Sequence, residues 1–468
     1  MERKRTNHIL LVLFFGVLMG ALDIAIVGPA LPAMRSSFVA AGNRSLAWIF
    51  SVYVLFNLIG TPIMAKLSDI AGRRMIYALD LLLFAVGSLT VALSPSLPFV
   101  LLGRGIQGFG AGGIFPVASA VIGDTFPPER RGRALGLIGA VFGLAFIVGP
   151  ALAGLILRFA TWHWLFLINV PLALTLLGFG LRVLPSQKSS SPGRFDWSGT
   201  LLLSLTLASL AYGLNSVDTS NFTASILSAH VLPFLLAALA LIPVTALIER
   251  KAASPVLPGN VFASRQLRIG YVLTAGAGVG EAAVVFMPSL AIASISGVQP
   301  HQASFLLMPV VLALAVGSPL AGRLLDGVGS RIVIMSGLVV AATGMVMLSV
   351  TAGSMLMFIV SGALIGLGLS ALLGAPIRYI TLNEVEPSNR SAAQGAVTVF
   401  TSSGQLLGAA VIGAIAASGN GSGSGYAHAF LVTGIVAAIL IIAAARLKNR
   451  AAEAAQAERQ KASAHEKS

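Results

Sequence analysis

The chain of 468 residues contains no cysteine, and only 10% of its residues are charged. The first absence excludes disulfides, thiolate metal sites and cysteine nucleophiles. The second excludes a soluble domain, which needs about 25% charged residues to cover its surface. Acids are scarce: 16 Asp and Glu stand against 30 Lys and Arg, a formal charge of +14. No P-loop, metal cluster or nucleophile–histidine pair is found. The pattern therefore predicts neither an enzyme nor a bound cofactor, and it argues against ATP as an energy source.

What is present is apolar. Hydrophobic residues make up 56% of the chain and the mean hydropathy is +0.90. Runs of roughly 20 apolar residues have the length of a bilayer-crossing helix, and their repetition predicts helices rather than a β-barrel. Such runs fall near 9–31, 45–67, 75–94, 98–122, 133–157, 164–184, 197–214, 225–248, 268–294, 303–325, 332–351, 354–379, 392–417 and 427–445. The expectation is an all-α integral membrane protein with 14 helices. The first run lacks a small-residue cleavage site and reads as a retained helix. Glycine is abundant, 51 residues, as where helices approach closely in lipid.

The basic residues set the expected orientation. With the N-terminus inside, 26 Lys and Arg fall in inner segments, three (Arg35, Arg44 and Arg158) fall outside, and Arg104 is left within a run. That bias puts both termini in the cytoplasm and explains the positive charge without nucleic acid. The final segment, 446–468, is of mixed charge and reads as a solvated tail.

The chain also repeats itself. AKLSDIAGRRM follows the second run and GRLLDGVGSRI follows the tenth, with Leu67, Asp69, Gly72 and Arg74 matching Leu324, Asp326, Gly329 and Arg331. PPERRGRALG is matched by EPSNRSAAQG, so that Pro128, Arg131 and Gly136 fall on Pro387, Arg390 and Gly395. Two parallel six-helix halves account for this, with the seventh and eighth runs inserted between them. The expected division is 1–190, a first bundle; 191–260, two inserted helices; 261–445, a second bundle; and 446–468, a cytoplasmic tail. The segment SQKSSSPGRFD, 186–196, marks the boundary.

On these motifs the chain resembles the major facilitator superfamily and, within it, the fourteen-helix drug:proton antiporters. The 65–77 loop is similar to the family's GxLxDxxGRRxxL signature. LLGRGIQGFGAGG, 101–113, resembles its arginine motif; GLAFIVGPALAG, 143–154, its antiporter motif; and LDIAIVGPALP, 22–32, its first-helix aspartate motif. WHWLFLINVP and FDWSGTLLL also look like this branch. The sequence departs from the pattern at Ala25, Gly28, Ala65, Ile70 and His163. The resemblance implies the major facilitator fold. It also implies that Asp69, Gly72, Arg73 and Arg74, repeated by Asp326 and Arg331, govern conformational change, and that Gly149–Pro150 forms a hinge or seal.

Ionisable residues within membrane runs are costly and mark function by default. They are Asp23, Asp80, Arg104 and Glu281, with Arg378 near an inner end. Asp23 and Arg104 lie at similar depths, about 14 and 9 Å from the outer ends of their runs at 1.5 Å per residue. The superfamily fold makes their helices neighbours, so the two are expected to pair. The repeat places Glu281 opposite Asp23 across a central cavity, while Arg104 has no counterpart near Ala363. Glu281 is thus expected to lack a cation, which favours its neutral form and suits a group that loads and releases a proton. Glu281 is the expected main proton or cation site, and Asp23–Arg104 a second, coupled one. Asp80 is expected to pair with Arg73 or Arg74, and Arg378 with Glu384 or Asp326. Phe286, Met287, Asn57 and Gln405 are the expected cavity residues.

The expected function is proton-coupled export of amphipathic, often cationic drug-like compounds by alternating access, and hence multidrug efflux and antibiotic resistance. The expected partners are a small-molecule substrate, protons and the lipid bilayer, with the protein a multi-pass monomer of the cytoplasmic membrane and without nucleic acid. The alternatives are export of one metabolite, lipid or siderophore, and a non-transporting sensor on the same fold.

Overall fold

The computed structural model describes residues 2–38, 43–186, 196–218, 221–252, 255–298, 304–418, 423–453 and 455. Most of the 186–196 boundary segment and the tail beyond 455 lie outside them. Fourteen helices among the described residues are long and apolar enough to cross a membrane. They are α1 Thr6–Val27, α2 Trp48–Ala71, α3 Arg73–Ala92, α4 Leu97–Thr125, α5 Arg130–Phe159, α6 His163–Val183 and α7 Trp197–Asn215. The others are α8 Leu232–Lys251, α9 Arg265–Ser294, α10 Phe305–Val328, α11 Ser330–Thr351, α12 Met355–Glu384, α13 Pro387–Ser418 and α14 Gly423–Ala444. Regular structure is entirely helical among the described residues. The expected 14-helix membrane architecture is therefore what the chain adopts.

Breaks in the helices follow local chemistry. Within α9 the helix stops at Val285 and restarts at Met287, where Pro288 cannot donate to the preceding turn. Within α12 it stops at Leu373, passes through Gly374 and restarts at Ala375, ahead of Pro376. Gly72 and Gly329 begin α3 and α11 with φ of 98° and 86°, a region that L side chains avoid. The internal repeat is thus also a repeat of backbone geometry.

Without a hydrophobic force between helices in lipid, small residues let backbones touch. A Cβ on Gly108 of α4 would meet the backbone of Tyr53 on α2, 3.0 Å from its Cα. Gly149 of α5 packs against Ala25 of α1, and Gly408 of α13 packs against Val279 and Ala282 of α9. These two contacts are repeat equivalents, one in each half. Pro150's side chain lies outside the described residues.

Between the halves, α5 lies on α10. Gly132, Gly136 and Gly143 face Gly322, Ser318 and Ala315. On the other seam, Gly395 of α13 faces Thr61, Pro62 and Ala65 of α2. The inserted pair, α7 and α8, lies beside this second seam. Leu203 and Leu207 cluster with Leu58 of α2 and Val399 of α13. Asn215 donates to Ser51 Oγ at 3.0 Å, and the rings of Trp48 and Tyr212 stack at 5.7 Å.

The start of α1 and the residues that follow α14, through Glu453, lie at one end of the bundle, here termed the latch end. There Glu453 accepts from Ser330 Oγ and from Ser330 N at 3.3 Å, while Arg450 donates to Asp326 O at 2.9 Å. Burial raises the Glu453 carboxyl above its ordinary value, and the Ser330 bonds oppose that shift.

Close packing makes a checkable contrast. Gly108→Ala forces backbone apart and is expected to cost about 1–3 kcal/mol, read as a lower thermal midpoint of the purified protein. A Cβ added at Gly154 would meet nothing within 4 Å, so Gly154→Ala is expected to leave the midpoint unchanged or raise it.

Candidate functional site

Asp23 lies deep in α1 and is fully buried, as is Arg104 of α4. Arg104 Nη1 donates to Asp23 Oδ2 at 2.5 Å, so the expected pair forms. Two amides complete the shell: Gln107 Nε2 donates to Asp23 Oδ1 at 2.7 Å and Asn169 Nδ2 donates to it at 3.1 Å. Arg104 also donates to Gln107 Oε1 and to the Ile49 carbonyl, and its guanidinium lies 4.1 Å from the Tyr53 ring centroid. Ser88 accepts from Gln107 at 2.8 Å. The cluster therefore joins α1, α2, α3, α4 and α6.

This closure corrects one expectation. Asp23 does not face Glu281 across an open cavity; its zero exposure and its shell of Arg104, Gln107 and Asn169 turn it into its own half. The motif alone signals part of that shell. Gln107 follows Arg104 by three residues on one helical face, and Asn169 lies in the WHWLFLINVP stretch.

Glu281 differs. It sits on α9 and is only half-buried, with no hydrogen bond or ion pair among the described residues. Gly276 faces Leu440 of α14, Gly280 faces Leu369 of α12, and Gly278 faces Thr401 and Gln405 of α13. Helical periodicity then aims Glu281 away from α14, between α12 and α13, toward the centre of the molecule. Gln405 is exposed on the central side of α13, along the stripe that includes Gln394 and Thr398. Asn57 is half-buried on α2, and its carbonyl accepts from Thr61 Oγ1 at 2.7 Å.

The two large apolar candidates sit elsewhere. Met287 is fully buried in the core of the second half, close to Gly362 of α12. It lies off the Glu281 face, because six residues carry it about 240° round a helix of 3.6 residues per turn. Phe286 is half-buried against the same core.

Two more charges depart from expectation. Asp80 is fully buried and both its oxygens lack a hydrogen bond among the described residues. Arg73 and Arg74 point away from it: Arg73 binds Asp69 and Asp124, and Arg74 donates to the Leu181 carbonyl at 3.3 Å. Asp80 instead abuts Gly113 of α4, where a Cβ would lie 2.5 Å from its Cγ. Arg378 also lacks the expected acid. Glu384 is taken by Lys448 and by Ser264 Oγ, and Asp326 lies against α5.

The latch end carries the densest polar network. Asp69 accepts from Arg73 and from two backbone N–H groups of the other half, Ser391 at 3.2 Å and Ala392 at 2.9 Å. These N–H groups belong to the first turn of α13, which has no intrahelical acceptors for them. Asp69 thus caps a helix across the boundary between halves, where a carboxylate also meets the positive helix end. Arg73 donates to the Pro387 carbonyl at 2.8 Å and Ser391 Oγ at 2.7 Å. Asp124 joins Arg73 at 3.0 Å to Arg390 at 2.6 Å, and Arg131 donates to Asn383 Oδ1 at 2.9 Å.

The repeat copy is looser. Asp326 faces the backbone N–H groups of Gly132 and Arg133 at the start of α5, yet its Oδ1 closes no hydrogen bond. Arg331 makes no hydrogen bond or ion pair among the described residues. Asp124 is not among the residues that sequence reasoning singles out. It directly precedes the TFPPERRGR stretch, which draws the eye to its arginines.

The Major Facilitator Superfamily family model matches residues 13–280 and 269–467. The chain is 32% identical over 412 residues to the uncharacterized MFS-type transporter YfiU of Bacillus subtilis (strain 168), covering 87% of this chain and 79% of that protein. It is 30% identical over 437 residues to the multidrug transporter protein MdtP of the same organism, covering 90% and 77%. The structure of the MFS proton:xylose symporter XylE bound to 6-bromo-6-deoxy-D-glucose matches with a TM-score of 0.64 at 16% identity, over 94% of this chain and 95% of that one. At that identity the likeness establishes the fold alone.

A one-atom change tests this network. Asp69→Asn keeps the side-chain shape but loses the charge, about 2 kcal/mol of capping and ion pairing, or up to a thirtyfold population shift. Because the chain has no cysteine, spin labels at Ala71→Cys and Ser388→Cys report this gap alone. Asp69→Asn is expected to move the distance distribution to longer values.

Proposed function

This chain belongs to the Major Facilitator Superfamily, and we propose that it exports amphipathic, cation-bearing drug-like compounds in exchange for protons. It is a multi-pass transporter of that superfamily. The finer reading rests chiefly on Glu281. A carboxylate within a membrane span, half-buried, aimed by helical periodicity toward the centre and without a partner among the described residues, is available both to a proton and to a substrate cation. The two ligands then compete for one group, which is the simplest physical basis for exchange.

In this reading the two halves rock about the central site. The latch end is the cytoplasmic end, as the Lys and Arg bias indicates, and the protein is a monomer of the inner membrane. The structure described above is then closed toward the cytoplasm. Asp69, Arg73, Asp124 and Arg390 hold that closure, Gly72 and Gly329 shape the two turns, and Gly149 seats α5 against α1 beside Pro150 in the sequence. Asp326 and Arg331 are the weaker second latch. Asp23 and Arg104 form a second site, coupled to the first through α1 and its contact at Gly149. Asn57 and Gln405 offer neutral hydrogen bonds to cargo. The curated relative MdtP bears the name of a multidrug transporter, which supports this class of cargo.

Proteoliposomes loaded with ethidium and given an imposed pH gradient test the proposal. Wild type is expected to drive efflux, and Glu281→Gln to slow gradient-driven efflux by roughly tenfold or more. Undiminished efflux by Glu281→Gln would remove Glu281 from the coupling. Asp23→Asn is expected to lower both transport and the thermal midpoint, because it breaks a buried pair and leaves Arg104 unmatched.

A further inference from the structure

Among the described residues, Arg378 is an ionisable group of the central region that the exchange scheme leaves without a task. It lies on the last segment of α12, just past the break at Gly374, and is 5% exposed. Its guanidinium faces the first half across the boundary, 3.8 Å from the ring centroid of Phe115 on α4. Every hydrogen-bond acceptor it meets among the described residues is neutral. Nη1 donates to Gln394 Oε1 at 3.1 Å and Nη2 to Thr398 Oγ1 at 3.4 Å, while Nε has no acceptor. Gln394 is held in turn, donating to Thr381 Oγ1 and to the Arg378 carbonyl.

Burying a cation without a counter-charge costs several kcal/mol. Here the cost falls at a particular place. Thr398, directly against Nη2, is half-buried, as is Ser402 above it on α13, and Gln405 beyond them is exposed. Arg378 therefore forms the floor of a polar stripe that continues up the wall of the second half. Glu281 stands at the other end of that wall. Gly408 packs beside Val279 and Ala282, which sets Glu281 level with that turn. Thr398 lies ten residues nearer the latch end, about 15 Å down a helix of 1.5 Å rise per residue.

We propose that Arg378 binds a carboxylate of the cargo, so that the preferred substrates are zwitterionic amphiphiles with their cationic end toward Glu281 and their anionic end on the cavity floor. The inference rests on the drug-export reading and deepens it. A guanidinium presents parallel N–H donors that match a carboxylate as a fork, and the long contact to Thr398 is the weaker bond a carboxylate displaces. Phe115 covers one face of the guanidinium and leaves its edge to the ligand. Because Phe115 belongs to the opposite half, rocking the halves apart at the latch end uncovers that face and opens the site as cargo enters from the cytoplasm.

The test uses the full chain in nanodiscs and a matched dye pair. Rhodamine 110 carries a free carboxylate beside its delocalised cation, and rhodamine 123 is its methyl ester. Equilibrium dialysis against empty nanodiscs gives each affinity. Wild type is expected to bind the acid about tenfold more tightly than the ester. Arg378→Gln is expected to erase that preference while leaving the ester affinity in place, and Arg378→Lys to restore part of it. Equal affinities in wild type, or a preference that survives Arg378→Gln, would overturn the proposal. The wild-type ratio decides the matter even where the variant fails to fold. Binding of the ester alone would overturn the carboxylate site and leave drug export standing, whereas binding of neither dye would count against both.

Discussion

A charge inside a bilayer has no water to meet it, so the protein must supply the partner or leave the charge for a ligand. That constraint sorts the ionisable residues of this chain. Asp23 and Arg104 are paired within one half, with Gln107, Asn169 and Ile49 bonded around them. Asp69, Arg73, Asp124 and Arg390 are satisfied only across the boundary between halves. Glu281, Arg378 and Asp80 meet no opposite charge among the described residues. The first group ties helices together, the second ties the halves at one end, and in the proposed exchange Glu281 and Arg378 of the third meet protons and cargo.

The second group explains how a pseudo-symmetric protein acquires a preferred state. Asp69 caps α13 at Ser391 and Ala392, and its repeat equivalent Asp326 faces the equivalent residues of α5, Gly132 and Arg133. The tight copy gains Arg73, Asp124 and Arg390, while the loose copy has Arg450 on the Asp326 carbonyl and little else. Glycines along α5 bring it into backbone contact with α10 across the same boundary. Surfaces packed this closely do not deform gradually; they stay together or separate as rigid bodies.

Much of this is legible in the sequence. Fourteen apolar runs correspond to fourteen spans, and the LSDIAGRR and LLDGVGSR repeat points straight to the latch residues. The depth of Asp23 and Arg104 foretells their pairing. What stays hidden depends on rotation about helix axes and on distant segments. Met287 follows Glu281 by less than two turns, yet six residues place it on another face of the helix, in the core. Asp80 follows Arg73 by seven residues, but Arg73 reaches Asp124 and the far half instead. Glu384 is close to Arg378 in sequence but is claimed by Lys448, from beyond the last span. Sequence separation says little about such contacts.

The central claim is that proton and cargo share Glu281. The direct measurement is proton release when purified protein in weakly buffered detergent solution, near neutral pH, is titrated with a cationic substrate. The account predicts that wild type releases protons as the ligand binds, and that Glu281→Gln binds the ligand with no release. Substrate binding without proton release in wild type, or equal release from Glu281→Gln, would contradict it.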